Sequence, residues 1–158
     1  MSELVVEVSS RDEAGDILSA DDCSVTLLIS IGEEHDDLPL GYDNAPAKIR
    51  LTFSDTGDET GATRADVEQL IEAANLLKER GSGRVLIHCM AGVSRSTAAA
   101  YIIHAILLGP GREEEAMARV VEQRPIARPN WRMVNLADQL LGRNGAMVSV
   151  VNAIHGIR

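Results

Sequence analysis

The residues with the clearest chemical potential are a cysteine and an arginine, Cys89 and Arg95, separated by five residues. The apolar run 85–87 before the cysteine predicts a buried strand, and the apolar pattern of 98–103 after the arginine predicts a helix. The chain therefore passes from a strand through a tight loop into a helix N-terminus. Because a helix N-terminus offers unpaired N–H groups and a partial positive charge, this loop is suited to bind an anion the size of phosphate.

The residue types in this loop suit a thiolate that lies beneath a bound oxyanion. Amide dipoles and the Arg95 guanidinium favour the ionised form of Cys89, so the thiol pKa should fall below its free value of about 8.5. The planar guanidinium can hold two phosphate oxygens at once, and Gly92 lets the backbone turn closely. The Ser96 hydroxyl is placed to donate to the sulfur. The amides expected to hold the oxygens are those of Met90, Ala91, Gly92, Val93, Ser94 and Arg95.

Segment 88–96, His-Cys-Met-Ala-Gly-Val-Ser-Arg-Ser, resembles the signature loop of the cysteine-dependent phosphatases, the protein tyrosine and dual-specificity family. The resemblance implies that Cys89 is the nucleophile, that Arg95 binds the phosphate and that Ser96 assists departure of the thiolate. It also implies that His88 hydrogen-bonds nearby backbone and shapes the thiolate site. The alternative is a buried structural cysteine at a strand end. This alternative does not explain why Arg95 and Gly92 occur at their positions in the loop.

Cleavage of a phosphate ester by a thiolate also needs a proton donor for the leaving oxygen. The family resemblance implies an aspartate that lies just past a strand and before the cysteine, and both Asp55 and Asp58 qualify. We prefer Asp55, because Phe53-Ser54-Asp55 resembles the Phe-x-Asp of several dual-specificity relatives and lies directly at the strand end. Asp58 is the alternative acid. Both could instead be solvated turn residues, since Asp, Thr and Gly favour turns.

The resemblance covers residues 48–142, and the first 45 residues match the pattern only loosely. Segments 124–131 and 136–142 resemble the C-terminal half of a bacterial branch of small tyrosine-phosphatase-like proteins. The interior of the signature loop contains no lysine, whereas phosphoinositide phosphatases of this superfamily tend to place lysines there. This difference argues against an inositol-lipid substrate.

Strands and helices alternate along the chain, which indicates an α/β fold. We expect a three-layer sandwich whose central, mainly parallel sheet is flanked by helices, in one domain, 1–158. Strands are predicted at 4–9, 25–31, 48–53 and 83–88. Helices are predicted at 11–19, between the Thr63 cap and Gly81, at 95–108, from Glu113 to Arg124, and at 131–141, where Asn130 caps the last helix. The tail 145–158 fits either a helix or a strand.

The loop 32–46 is longer than is usual in a compact domain, and such loops are often functional. We expect it to form part of the active-site rim and to set the depth of the pocket. A deep pocket favours phosphotyrosine, and a shallow one admits phosphoserine and phosphothreonine as well. Tyr42 either packs against a substrate ring or lies on the surface. The remaining histidines, which lack partners at a useful spacing, are structural or surface residues: His35, His104 and His155.

Composition restricts the partners and the compartment. The net charge is −9 and no basic run occurs, which argues against nucleic acid or an anionic membrane surface as a partner. Cys23 and Cys89 fit neither a disulfide framework nor a metal site; Cys23 is either a buried small hydrophobe or a resolving partner for oxidised Cys89. No signal peptide or apolar run of about 18 residues is present. With a reactive thiol, these features predict a cytoplasmic protein.

The sequence therefore predicts a protein tyrosine phosphatase, of dual specificity if its pocket is shallow, that needs no cofactor and acts on a phosphorylated protein or a small phosphomonoester. One rival is a catalytically weak, phosphate-binding pseudophosphatase, whose mark would be loss of the acid. Another is a small-molecule phosphatase. A sulfur transferase or arsenate-reducing relative would require a second reactive cysteine, for which Cys23 is a poor candidate. The oligomeric state is left open.

Overall fold

The computed structural model describes residues 3–156 and contains a four-stranded, fully parallel sheet. The strands are β1 (Leu4–Ser9), β2 (Leu27–Gly32), β3 (Ala47–Thr52) and β4 (Gly83–His88), in the spatial order β1-β4-β2-β3. Strand β4 pairs with β1 on one side and with β2 on the other. Strand β4 is therefore a central strand of the sheet. Parallel sheets bind ligands beyond the carboxyl ends of their strands, which is where the loop after β4 begins.

Helices cover both faces of the sheet, as the α/β prediction required. In chain order they are α1 (Arg11–Ser19), α2 (Arg64–Arg80), α3 (Arg95–Leu108), α4 (Glu113–Gln123), α5 (Trp131–Leu141) and α6 (Ala146–Ile154). Helix α1 packs on one face, where Leu18 joins Leu28 and Leu86 in a small apolar cluster. The other helices enclose the larger core on the opposite face, which contains Val85 and Ile87. The predicted three-layer α/β sandwich is confirmed.

Strand β4 and helix α3 form the most buried part of the molecule. Side chains of a strand point alternately to its two faces, and Val85, Leu86 and Ile87 are all fully buried, because each face of β4 is covered by helices. Helix α3 is apolar on every side and is buried along nearly its whole length. The loop between these elements is consequently anchored at both ends in the core.

Most predicted boundaries agree with the structure, and the differences are small. Helices α1, α3 and α5 have the predicted bounds. Strand β2 begins at Leu27 rather than at residue 25, and β3 covers Ala47–Thr52 rather than 48–53. The predicted loop 32–46 contains a short 3₁₀ helix, Tyr42–Asn44.

The tail, for which the sequence allowed either a helix or a strand, forms helix α6. The N-terminus of α6 is capped by Asp138, whose carboxylate accepts hydrogen bonds from the amides of Gly145 (2.8 Å), Met147 (2.9 Å) and Val148 (3.1 Å). A capping residue on the preceding helix leaves no local sequence signal of the usual kind. Residues 1, 2, 157 and 158 of the predicted domain and tail lie outside the described part of the chain.

We expect Asp138→Ala to destabilise the fold by about 2–3 kcal/mol, because it leaves three amides at the start of α6, that of Met147 buried, without their acceptor. Urea denaturation measures the change in the free energy of unfolding. The exposed neighbour Gln139 provides the control variant, Gln139→Ala, which should cost much less. Equal costs for the two variants would show that Asp138 does not hold α6.

Candidate active site

The loop that joins β4 to α3 places Cys89 directly after the strand and Arg95 at the first residue of the helix. Between them Gly92 has a positive φ of 70°. A Cβ atom at this position would lie 2.6 Å from the Arg124 guanidinium and 2.7 Å from the backbone of Ser9. Both the conformation and the close packing therefore require glycine here.

Every carbonyl of this loop from Met90 to Ser94 accepts a hydrogen bond from outside the loop. Backbone amides supply three of these bonds: from Arg11 to Met90 (3.1 Å), Arg128 to Val93 (2.8 Å) and Asn130 to Ser94 (3.1 Å). The Arg124 guanidinium supplies the other two, to the carbonyls of Ala91 (3.1 Å) and Gly92 (2.9 Å). With its carbonyls held outward, the loop directs amides inward, toward the cysteine.

The Cys89 thiol is 3% exposed and its sulfur lies 3.0 Å from the Ser96 hydroxyl oxygen. Burial alone would raise the pKa of this thiol. The hydroxyl of Ser96, together with the amides of Ser96, Gly92 and Val93, outweighs burial and lowers the pKa of Cys89 below its ordinary value. The structure thus brings Ser96 and the loop amides to the sulfur, as the sequence predicted.

Arg95 is only 7% exposed and uses one edge of its guanidinium to hold the end of the third strand. Its Nη1 donates to the carbonyl oxygen of Phe53 at 2.9 Å. Its Nε is buried and finds no hydrogen-bond partner within residues 3–156. A buried guanidinium nitrogen without an acceptor is costly, and an oxyanion bound in the loop would satisfy it.

The structure separates the two candidate acids. Asp55 contacts the signature loop, because its Oδ1 accepts hydrogen bonds from the Ser94 hydroxyl (2.6 Å) and from the Asn130 side-chain amide (2.9 Å). Asp58 stays within its own exposed turn, where it accepts from the amide and hydroxyl of Thr60 and the hydroxyl of Thr56. The Thr60 and Thr56 hydrogen bonds also lower the pKa of Asp58. Asp55 is therefore the carboxylate that this geometry connects to the signature loop.

Asn130 has a second role that the sequence did not reveal. Its Oδ1 caps α5, as predicted, by accepting from the amide of Met133 at 3.0 Å. Its Nδ2 donates to Asp55 and to the carbonyl of Thr56 (3.2 Å). The capping signal identified the residue, but nothing in the sequence indicated that its amide nitrogen reaches the acid loop.

His88 belongs to a buried polar chain that sequence analysis found only in part. The Arg50 guanidinium donates to the Ser30 hydroxyl (2.8 Å), which lies 2.7 Å from Nε2 of His88. Nδ1 of the same ring lies 3.0 Å from the carbonyl oxygen of Cys89. Burial lowers the pKa of His88, so we assign a neutral ring that accepts from Ser30 and donates to the Cys89 carbonyl. The predicted contact with nearby backbone is present, and Ser30 and Arg50 fix its direction.

The predicted rim loop 32–46 reaches the cysteine through only part of its length. Asp36 and Asp37, with Arg11 and Met90, line the narrow space beside Cys89. Tyr42 is instead half-buried against the small cluster under α1. The side chain of Cys23 also packs there, half-buried rather than fully buried. Of the other histidines, His35 is exposed, His104 is largely buried in α3, and His155 hydrogen-bonds the carbonyl of Pro129.

Three potential metal ligands, Glu33, His35 and Asp36, lie within 4.8 Å of one another at the surface near this rim. Two of them already serve the loop: Asp36 accepts from the amide of Glu33 (2.9 Å), and Glu33 accepts from the Ser54 hydroxyl (2.6 Å). Because local hydrogen bonds account for these carboxylates, we assign the group no metal-binding role.

Comparison with protein-family models and with curated proteins finds no match. Solved structures do match. Human DUSP28 aligns with 88% of this chain and 94% of its own at 24% identity and a TM-score of 0.64. DUSP15 aligns with 96% of this chain and 90% of its own at 20% identity and a TM-score of 0.67. A human tyrosine phosphatase-like serine/threonine/tyrosine-interacting protein covers 78% of this chain and 80% of its own, at 22% identity and a TM-score of 0.60.

The fold is that of the dual-specificity and tyrosine phosphatases. In this dual-specificity phosphatase fold, the loop after β4 lies at the carboxyl end of the sheet, with Cys89 beneath its amides. Among the helices within residues 3–156, none has both the length and the apolar character needed to cross a bilayer.

We expect Ser96→Ala to raise the pKa of the Cys89 thiol, because the variant loses the hydroxyl hydrogen bond that stabilises the thiolate. The measurement is the rate of iodoacetamide alkylation as a function of pH, in a Cys23→Ser background that leaves one reactive thiol. Ser94→Ala is the matched control, because Ser94 contacts Asp55 rather than the sulfur. Equal titration curves for the Ser96 variant and its parent would contradict the assigned role.

Proposed function

We propose that this chain is a cysteine-dependent phosphatase that hydrolyses phosphomonoesters through a cysteinyl-phosphate intermediate. One arrangement carries the proposal: a buried thiol of lowered pKa lies under inward-facing amides, and the carboxylate of Asp55 is attached to the same loop through Ser94. The fold shared with DUSP28 and DUSP15 supports it. A purely structural cysteine would not require an outward-clamped loop or a buried Arg95 with one open edge.

In the first step the Cys89 thiolate attacks phosphorus, a sulfur–phosphorus bond forms and the bond to the ester oxygen breaks. Asp55, in its protonated form, delivers a proton to that oxygen, so the product leaves as a neutral alcohol or phenol. The loop amides and the Arg95 guanidinium stabilise the charge that develops on the three equatorial oxygens. This chemistry uses no cofactor.

In the second step water attacks phosphorus and the sulfur–phosphorus bond breaks. Asp55, now ionised, takes a proton from the water. The electron pair returns to sulfur, and the Ser96 hydroxyl, 3.0 Å away, stabilises the departing thiolate by donating a hydrogen bond. His88 stays neutral and holds the Cys89 carbonyl, so it moves no proton in this scheme.

For the substrate we propose a phosphorylated protein, with phosphotyrosine as the main target and phosphoserine and phosphothreonine as further targets in a shallow pocket. A small phosphomonoester is the alternative. The narrower placement in a bacterial branch of small tyrosine-phosphatase-like proteins stays a prediction, as does the cytoplasm, which the reactive thiol favours because it requires a reducing compartment.

A phosphate-binding role without turnover is a second candidate, because the same fold occurs in the phosphatase-like interacting protein described above and a fold does not determine function. Asp55 argues against this role, since a binding module has no use for a carboxylate held beside its signature loop.

The decisive experiment follows the hydrolysis of a phosphotyrosine peptide, whose leaving group needs protonation. We expect Cys89→Ser to abolish turnover and Asp55→Asn to lower kcat by about a hundredfold or more, because general acid catalysis contributes about 10²–10⁴-fold. Asp58→Asn should change kcat less than twofold. Vanadate, which mimics the pentacoordinate transition state, should inhibit the parent enzyme.

Two outcomes would correct this account. If Asp58→Asn is the variant that loses activity, Asp58 is the acid and Asp55 only supports the loop. If the parent chain binds phosphate analogues but shows no turnover that disappears in Cys89→Ser, the chain is a binding module.

A further inference from the structure

A cleft of about 390 Å³ lies between helix α1 and segment 37–40, beside the space that contains Cys89. Arg11 and Asp37 line both spaces, and the Arg11 amide donates to the Met90 carbonyl at 3.1 Å, so the cleft lies next to the signature loop. The remaining lining residues of what we call the acidic cleft are Asp12, Gly15, Asp16, Leu38, Pro39 and Leu40.

The cleft is built by close packing and not by a loose loop. A Cβ atom at Gly15 would lie 3.3 Å from the Leu40 side chain, so segment 37–40 rests directly on α1. The next residue, Gly41, has a positive φ of 76°, and a Cβ there would lie 2.9 Å from the backbone of Leu18. These two glycines allow the segment to approach the helix closely and to hold the shape of the cleft.

The lining combines carboxylates with exposed apolar side chains. Asp12, Asp16 and Asp37 contribute three carboxylates against the single guanidinium of Arg11. Within residues 3–156, neither Asp16 nor Asp37 has a hydrogen-bond or ion-pair partner for its carboxylate, and Asp12 pairs only with Arg11, at 3.6 Å. Leu38 and Leu40 are 47% and 75% exposed. The unpaired carboxylates and the exposed leucine side chains are therefore both available to a ligand.

This combination fits one kind of side chain. Lysine and arginine bury their aliphatic stems on apolar surface while the charged head stays polar, so the stem would lie on Leu38 and Leu40 and the head near Asp16 and Asp37. An acidic or phosphorylated group would be repelled by the three carboxylates. The net charge of −9 also favours a cationic partner over an anionic one.

We propose that the acidic cleft binds an arginine or lysine side chain close to the phosphorylated residue of a protein substrate; this inference rests on the proposed phosphatase function. The phosphate would occupy the signature loop while the basic residue occupies the cleft, with Arg11 between them. The chain would then select phosphoproteins with a basic flanking residue, a preference set outside the catalytic loop.

The test uses phosphotyrosine peptides that differ at a single position, which holds arginine, citrulline or glutamate. This position is varied in turn over the two residues before and the two residues after the phosphorylated residue. Citrulline has nearly the shape of arginine without its charge. We expect arginine to exceed citrulline by about twofold to fivefold in kcat/KM at one of these positions, as exposed ion pairs allow, and glutamate to be the poorest. The ratio should fall as salt is added.

The double variant Asp16→Asn/Asp37→Asn should bring the arginine-to-citrulline ratio close to one. Its matched control, Glu79→Gln/Glu122→Gln, removes the same charge from exposed positions on α2 and α4, away from the cleft, and should retain the ratio. Because the readout is a ratio within each variant, a general change in activity does not affect it.

Binding of the same peptides to Cys89→Ser, measured by fluorescence anisotropy, separates the two proposals. A preference for arginine in binding without hydrolysis by the parent chain would overturn the phosphatase and support the cleft. Equal arginine and citrulline values in both assays would overturn the cleft, whatever the turnover. An arginine preference that persists in the Asp16/Asp37 double variant would also overturn it, since the selectivity would then arise elsewhere.

Discussion

The structure depends above all on how the carbonyls of the loop after β4 are held. Five successive carbonyls, Met90 to Ser94, are bonded by donors from the start of α1, from Arg124 at the end of α4, and from segment 128–130. A loop left to water would be free to turn these carbonyls inward, toward the sulfur, where their negative ends would oppose a thiolate. Clamping them outward is what makes the interior of the loop positive.

The same clamps connect the loop to the rest of the site. Ser94 and Asn130 share Asp55 as their acceptor, and the backbone amide of Asn130 bonds the carbonyl of Ser94. The proposed nucleophile and the proposed acid are thus held in one hydrogen-bonded unit, although they come from loops after different strands. Arg95 adds a third connection, because it bonds the Phe53 carbonyl just before the acid loop. Because these hydrogen bonds join the two loops, displacement of one loop would also displace the other.

The groups close to the Cys89 sulfur favour negative charge on a bound group, whereas the protein as a whole is negatively charged. Next to Cys89 the loop amides and Ser96 favour an anion, whereas the chain as a whole has a net charge of −9. In the proposed mechanism, local groups bind the oxyanion in a small, buried volume, where their charges are poorly screened. In the proposal for the acidic cleft, the carboxylates along α1 and segment 37–40 discriminate among the molecules that carry that oxyanion.

The amino-acid sequence by itself determined the order of strands and helices along the chain from β1 to α5, the signature loop and the positions of Cys89, Arg95 and Ser96, because these follow from local periodicity and from spacing within a short segment. It narrowed the proposed general acid to two aspartates, Asp55 and Asp58, but it could not show which of them contacts the signature loop. Only the tertiary structure connected Asp55 to Ser94 and Asn130, aligned Ser30 and Arg50 with His88, and made α6 a helix capped by Asp138. Each of these pairings, except the cap, joins residues at least 20 positions apart, and the cap comes from a neighbouring helix. Such contacts depend on how elements pack, which no local pattern encodes.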